Sequence, residues 1–161
     1  MNGGRAFWAG VLGGAVMIIL TTMARIAGMP VNISMMLGTM FGLSPDMGTW
    51  FLGFLVHLFI SGLIALLYGL GFEYVTHKAS IGAGALFSVV HIVVAGFAFG
   101  LIPYIHPAVP EVISVPGIFM SGLGAAGVAS FIVIHALYGM IVGALYGPVK
   151  HASEEQRYGL K

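Results

Sequence analysis

The chain has 161 residues, of which 59% are hydrophobic and 7% charged, and its net charge is +1. A soluble domain carries about 25% charged residues, and a small one has too much surface to hide such a deficit, so this composition excludes an ordinary soluble protein and favours a bilayer as solvent. The absence of cysteine excludes disulfides, cysteine-bound zinc and iron–sulfur clusters. The sequence also lacks a run of basic residues that would indicate a nucleic-acid partner.

Four apolar segments are each longer than the ~20 residues that a membrane-spanning helix needs. They cover about residues 6–28, 48–71, 81–103 and 124–147. The first is too long for the apolar region of a cleavable signal, and Arg25 stands where small residues should lead to a cleavage site, so we interpret it as a retained helix. The sequence therefore predicts a single transmembrane domain, an all-α integral membrane four-helix bundle.

Two connections between these segments are long, apolar and rich in proline and glycine. They cover residues 29–48 and 104–124. Aqueous loops are usually more polar, so we expect both connections to be interfacial or re-entrant, with their backbone buried in protein. The first should contain a short helix that Asn32 or Ser34 caps.

The basic residues lie almost entirely on one side of this four-span arrangement. Arg25 falls near the opposite side, and the others are Arg5, Lys78, Lys150, Arg157 and Lys161. By the positive-inside rule both termini should be cytoplasmic, including a tail over residues 148–161.

A repeated pattern links the second and fourth spans. The stretch HLFISGLIALLYG begins at His57, and HALYGMIVGALYG begins at His135, 78 positions later. The match indicates a duplicated two-helix unit, over about residues 6–71 and 81–147, with parallel halves.

Small residues accompany each of these histidines at helical spacing. Steps of four residues give Gly53, Ser61, Ala65 and Gly69 in line with His57, and Gly139, Gly143 and Gly147 in line with His135. Residues four apart share a helix face, and faces of small residues let helices approach closely in lipid. We therefore expect the second and fourth helices to meet along these two faces.

Three histidines should lie at one depth of the membrane. His57 and His135 are each twelve residues from the glycine that ends their span, and His91 is ten residues into the third span. Polar groups at this depth are costly and usually face the bundle interior. His57 and His135 are candidates to bind one haem b between helices, and His91 is a further candidate for haem or chlorophyll. The alternative is hydrogen bonding between helices, from histidine to histidine or to Ser61.

The motif MMLGTMFG, a histidine-headed second helix and the final HALYGMIVGALYG helix resemble a family of small, uncharacterised four-helix bacterial membrane proteins, a domain of unknown function. The resemblance covers most of residues 10–147. The matching positions are Met36, Leu37, Gly38, Gly42, His57, Tyr68, His135, Gly139, Gly143 and Tyr146. The resemblance implies the four-helix fold and the bacterial inner membrane, and it implies no activity.

Side chains other than histidine offer little chemistry. The acidic residues lie near or beyond the span ends, at Asp46, Glu73, Glu111, Glu154 and Glu155. This argues against a proton pump or cation transporter, and the sequence shows no nucleophile–His–acid pattern. We predict a small accessory subunit, without intrinsic catalysis, of a larger bacterial membrane complex in electron transfer or light harvesting. Its partners would be membrane lipids and other integral membrane subunits. The alternatives are a haem b protein that uses His57 and His135, and a small channel or transporter.

Overall fold

The computed structural model describes residues 1–109, 113–114 and 116–150. In that part of the chain the helices are α1 (Gly3–Ile26), α2 (Ile33–Thr39), α3 (Met47–Tyr74), α4 (Ile81–Ile105) and α5 (Gly124–Leu145), with a 3-10 segment over Ile118–Leu123. Four of them are long and apolar enough to cross a membrane. The protein is therefore a multi-pass membrane protein, and the predicted all-α four-helix bundle is confirmed.

Some predictions concern residues outside the described ranges. These are Glu111 in the second long connection, and most of the predicted tail, with Glu154, Glu155, Arg157 and Lys161. They stay predictions.

Polar side chains cap the starts of four helices. Asn2 caps α1 by accepting a hydrogen bond from the Arg5 N–H at 3.2 Å. Asn32 accepts a hydrogen bond from the Met35 N–H at 3.1 Å, which confirms the predicted short helix α2 and its cap. Asp46 accepts from the Thr49 N–H at 2.7 Å, and Ser80 caps α4 in the same way. The Thr49 hydrogen bonds hold the pKa of the Asp46 carboxyl below its usual value. Each cap satisfies an N–H that the first helical turn leaves unpaired.

The two ends of the bundle differ in content. We call proximal the end where α1 and α4 begin and where α3 and α5 end. The opposite, distal end holds α2 and the residues that join α4 to α5. Helix α3 continues to Tyr74, beyond the predicted span end at residue 71, and its last turn includes Glu73, which is fully buried.

Helices α1 and α3 form a hairpin with close backbone contact. Gly10 of α1 faces the Ser61 carbonyl and Ala65 of α3, and Gly14 faces the Ser61 side chain. A Cβ atom at Gly10 would lie only 2.5 Å from the Ala65 Cβ, so a larger residue there would push the helices apart. Small residues on both helices therefore set this close packing.

Helix α2 lies against the distal half of α3. Gly53 of α3 faces the Ser34 carbonyl of α2, and Gly38 of α2 faces the Thr49 carbonyl of α3. The first long connection thus returns onto the bundle, as expected of an apolar segment whose backbone must be buried.

Helices α4 and α5 form the second hairpin in the same manner. Gly84 of α4 faces the Gly139 carbonyl, and Gly143 of α5 faces the Ser80 carbonyl. A Cβ atom at Gly139 would lie 2.8 Å from the Ser88 Cβ. Each half of the molecule is therefore a hairpin of long helices with a shorter distal segment. The duplication that would explain this likeness stays a prediction.

The expected contact between the small-residue faces of α3 and α5 is wrong. The face of α3 packs mainly on α1 and α2, and the face of α5 packs on α4. Among the described residues α3 and α5 touch at few points, such as Gly69 beside the Tyr146 ring and the Ser61 carbonyl beside the Tyr138 hydroxyl. Gly147 faces the Arg5 side chain near the start of α1. The reason is that α1 and α4 carry glycines of their own at matching levels, so each small-residue face finds its partner within its own hairpin.

Helices α1 and α5 join the two halves. The Tyr138 ring of α5 lies against Gly13 of α1, where a Cβ atom would come within 2.8 Å of the ring. Tyr138 also belongs to a buried cluster with Ala65, Tyr68 and Phe72 of α3. The core therefore lies along α1 and α5, with α3 and α4 on either side of it.

Candidate functional site

A cavity of about 690 Å³ lies between α3 and α4. Its wall is almost entirely apolar. The polar side chains that line it are Thr21, His57, Ser61, Tyr68, His91 and His135. The structure thus brings the three predicted histidines to one cavity within the membrane-spanning part of the bundle.

The cavity exists because α3 and α4 hardly touch each other. Helix α3 packs on α1 and α2, α4 packs on α5, and the α1–α5 contact holds the halves together. Val90 and Val94 line the cavity and are each 63% exposed, so the opening between α3 and α4 faces the surrounding bilayer. A molecule dissolved in the lipid therefore has a lateral path into the cavity.

His91 lies in a group of aromatic rings near the middle of α4. Its Nδ1 atom is 3.2 Å from the Tyr68 hydroxyl oxygen. Its ring meets the His135 ring edge-on, with centroids 5.0 Å apart and planes at 79°. The Tyr138 ring centroid is 5.3 Å from that of His91. Four ring side chains from three helices therefore meet at one level of the cavity.

The tautomer of His135 is fixed by its own helix. Its Nδ1 atom is 2.8 Å from the Phe131 carbonyl oxygen. A carbonyl oxygen only accepts hydrogen bonds, so Nδ1 carries the proton and donates it. In the neutral imidazole the other nitrogen, Nε2, then keeps a free lone pair. Histidines that bind metals are commonly held in this way, with one N–H donated to a carbonyl.

His57 is held differently from its counterpart in the repeat. Its Nδ1 atom is the one buried side-chain nitrogen or oxygen among the described residues that has no hydrogen-bond partner. The Ser61 hydroxyl donates to the backbone carbonyl of His57 at 2.8 Å, within the same helix. The expected hydrogen bond between helices, from histidine to histidine or to the Ser61 side chain, is therefore not formed by the described residues.

His91 and His135 are too close to be the two opposite ligands of one haem iron. Two imidazoles on opposite sides of the iron, each with a nitrogen ~2 Å from it, have ring centroids about 6 Å apart. The observed edge-on contact has centroids 5.0 Å apart, and no haem plane fits between the rings. Within the described ranges, no three histidine, aspartate or glutamate side chains are placed to hold a metal ion. Axial ligation by a single histidine and hydrogen bonding are the chemistries that this cluster offers.

Sequence reasoning did not single out the two tyrosines of this site. Tyr138 donates its hydroxyl proton to the Ser61 carbonyl oxygen at 2.5 Å and so ties α5 to α3. A signal was present, because Tyr138 follows His135 by three residues and residues at that spacing share a helix face.

Tyr68 was visible only as a repeat position. It stands in register with Tyr146, yet the structure gives the two tyrosines different partners. Tyr68 lies beside His91 in the cavity, whereas Tyr146 donates to Glu73 at the proximal end. The repeat could not reveal this divergence, because His91 lies in α4 and Glu73 in α3, and these two helices do not correspond to each other in the repeat.

Comparisons with models of protein families, with curated proteins and with solved structures found no match to this chain. The family resemblance drawn from the sequence motifs therefore stays a prediction.

Proposed function

We propose that this protein binds an apolar molecule that dissolves in the bilayer and enters the cavity between α3 and α4. The observation that carries the proposal is the cavity itself, apolar over most of its wall and open toward lipid beside the exposed Val90 and Val94. Its volume of about 690 Å³ falls in the range of roughly 300–1,000 Å³ that small-molecule sites occupy.

Selectivity for such a ligand has to come from polar contacts and shape. A molecule that leaves lipid for an apolar cavity gains little from the hydrophobic effect, because lipid tails are as apolar as the wall. Hydrogen bonds between ligand and protein contribute more to selectivity in such an apolar cavity, since no water competes for them. The imidazoles of His91 and His135 are the groups that supply them.

Paired valines on α4 provide a test of this proposal. Val94 lines the cavity, whereas the neighbouring Val93 is also exposed but does not line it. Val94→Trp should fill the opening and remove the bound molecule, and Val93→Trp should leave it in place. Native mass spectrometry of the purified proteins, with analysis of extracted small molecules, measures the occupancy. A wild-type protein without a bound apolar molecule, or equal occupancy in both variants, would contradict the proposal.

A second candidate is a haem b protein, favoured by the fixed tautomer of His135. The Nδ1–H bond to the Phe131 carbonyl leaves Nε2 available as an axial ligand, and the cavity adjoins it. His57, predicted as the second ligand, lines the same cavity. An absorption spectrum of the purified protein between about 350 and 800 nm tests this candidate, because bound haem gives a Soret band that His135→Ala should remove.

The orientation in the membrane is also a proposal. Arg5, Lys78 and Lys150 belong to the proximal end of the bundle, while Arg25 lies at the distal end of α1. The positive-inside rule then supports a cytoplasmic proximal end in a bacterial inner membrane. The role as an accessory subunit stays a prediction, for which co-purification with other integral membrane subunits in mild detergent is the test.

A further inference from the structure

We propose that the molecule bound in the cavity has a phenolic hydroxyl group that hydrogen bonds to His135, as a benzoquinol with a hydrocarbon tail does. This inference rests on the proposed function and names the chemical class of its ligand. It concerns binding alone and includes no electron transfer.

The first step is the unfilled acceptor on His135. Its Nδ1–H is committed to the Phe131 carbonyl, so Nε2 can only accept. Nε2 of His135 has no hydrogen-bond partner within the described residues. Among these residues, His57 Nδ1 is the one side-chain nitrogen or oxygen that is both buried and without a partner. Since His135 Nε2 also lacks a partner, it is not a buried atom. A ligand that reaches the cavity therefore meets an acceptor that lacks a donor.

The second step is that the neighbouring hydroxyl groups are already engaged. The Tyr138 hydroxyl donates to the Ser61 carbonyl at 2.5 Å, and the Tyr68 hydroxyl lies 3.2 Å from His91 Nδ1. When Tyr68 donates to that nitrogen, His91 carries its proton on Nε2 and offers it to the cavity. A ligand hydroxyl can then accept from His91 and donate to His135. A carbonyl group can only accept, so it would leave His135 unsatisfied.

The third step is the aromatic surroundings of these nitrogens. The His91 ring contacts the rings of Tyr68, Tyr138 and His135, with centroid distances of 6.0, 5.3 and 5.0 Å. Rings in such surroundings favour a flat aromatic head group through edge-to-face contacts. From this level the cavity continues along α4 past Val94, Ala98 and Ile102, which provides an apolar path for a hydrocarbon tail.

The test compares three probes that differ only in the head group: a decyl benzoquinol, the matching decyl benzoquinone and the dimethyl ether of the quinol. Binding to the wild-type protein in lipid nanodiscs is measured by isothermal titration under anaerobic conditions. The quinol should bind about tenfold more tightly than either other probe, because only the quinol donates a hydrogen bond. Nitrogen-15 NMR of labelled histidine should show His135 protonated on Nδ1, with an Nε2 signal that shifts when the quinol is added.

Variants separate the head-group inference from the proposed function. His135→Phe keeps a ring and should remove the preference for the quinol while the ether still binds. His135→Gln retains a hydrogen-bond acceptor and should keep part of the preference for the quinol. If all three probes bind equally and Val94→Trp abolishes their binding, this inference is overturned and the proposed function stands. Binding that Val94→Trp does not affect would overturn both. Three further results would each overturn the inference. The first is that the quinol does not bind, and the second is that decanol binds as tightly as the quinol. The third is a haem Soret band that depends on His135.

Discussion

His106 shows how much a single side chain contributes at the distal end. Its Nδ1 atom accepts a hydrogen bond from the Ala108 N–H at 3.1 Å, so its Nε2–H donates to the Met36 carbonyl at 2.7 Å. The Thr39 hydroxyl lies 3.4 Å from the same Nε2. His106 is buried and connects the end of α4 to α2, and both helices line the cavity. Sequence reasoning did not select it, because it lies in a connection outside the spans.

We expect His106→Asn to weaken the distal end, because the shorter side chain cannot keep both hydrogen bonds. Loss of buried hydrogen bonds of this kind costs ~1–3 kcal/mol. Thermal unfolding in detergent measures the effect, and His77→Asn, at an exposed position, is the control. Equal stability of the two variants would show that His106 does not hold α2 to α4.

Tyr146 has a comparable role at the proximal end. Its hydroxyl donates to Glu73 at 2.5 Å and accepts from the Asn2 N–H at 3.1 Å, and the Lys150 N–H donates to the other Glu73 oxygen at 2.9 Å. Burial, together with the hydrogen bond to Glu73, raises the pKa of Tyr146 from 10.0 to about 12. These hydrogen bonds therefore connect the end of α5 to the last turn of α3. They also connect this pair to the backbone at Asn2 and Lys150.

The raised pKa predicts how stability changes in alkali. Folding favours the protonated phenol, so its contribution is fully present below pH 10.0 and is lost as the pH rises through about 12. Tyr146→Phe should remove this part of the alkaline loss, and at neutral pH it should cost ~1–3 kcal/mol because a buried carboxylate loses a donor. Melting temperatures from pH 8 to 12 test this, with Tyr104→Phe, an exposed position, as the control. A pH profile of Tyr146→Phe identical to the wild type would contradict it.

At the scale of helices, close packing depends on small residues that face backbone atoms. Helical spacing correctly identified faces of small residues on α3 and α5, but it could not say which helix each face meets. The choice depends on glycines of other helices, such as Gly10 and Gly14 on α1 and Gly84 on α4. Because each face packs within its own hairpin, the space between α3 and α4 is left for the cavity.

Two glycines of α4 give a matched test of this packing. A Cβ atom at Gly84 would collide with the Gly139 carbonyl oxygen, whereas one at Gly82 would meet nothing closer than 4.0 Å. Gly84→Ala should therefore destabilise the bundle by ~1–3 kcal/mol through overpacking. Gly82→Ala should be neutral or slightly stabilising, since alanine is the better helix former. If both variants have the same unfolding temperature, close α4–α5 contact does not stabilise the fold.

At the scale of the whole molecule, the bundle consists of two hairpins that meet through α1 and α5. The basic residues at its proximal end predict which end faces the cytoplasm. Single cysteines at Val75 and Ser44, both exposed and at opposite ends, can be labelled in intact cells with a membrane-impermeant thiol reagent. The native chain has no cysteine, so it gives no background. We expect labelling at Ser44→Cys alone, and labelling at Val75→Cys alone would reverse the orientation.

The sequence by itself determined the spans, the α2 cap at Asn32 and the small-residue faces, because length, hydropathy and helical spacing depend on residues close together in the chain. It also predicted that three histidines share one depth. The tertiary structure decided what those groups touch. Glu73 and Tyr146 are 73 residues apart, and His106 and Met36 are 70 apart. Contacts at such separations depend on which hairpins form and how they meet, and no local pattern specifies this. For the same reason the cavity, and the free nitrogen of His135 beside it, follow from the fold.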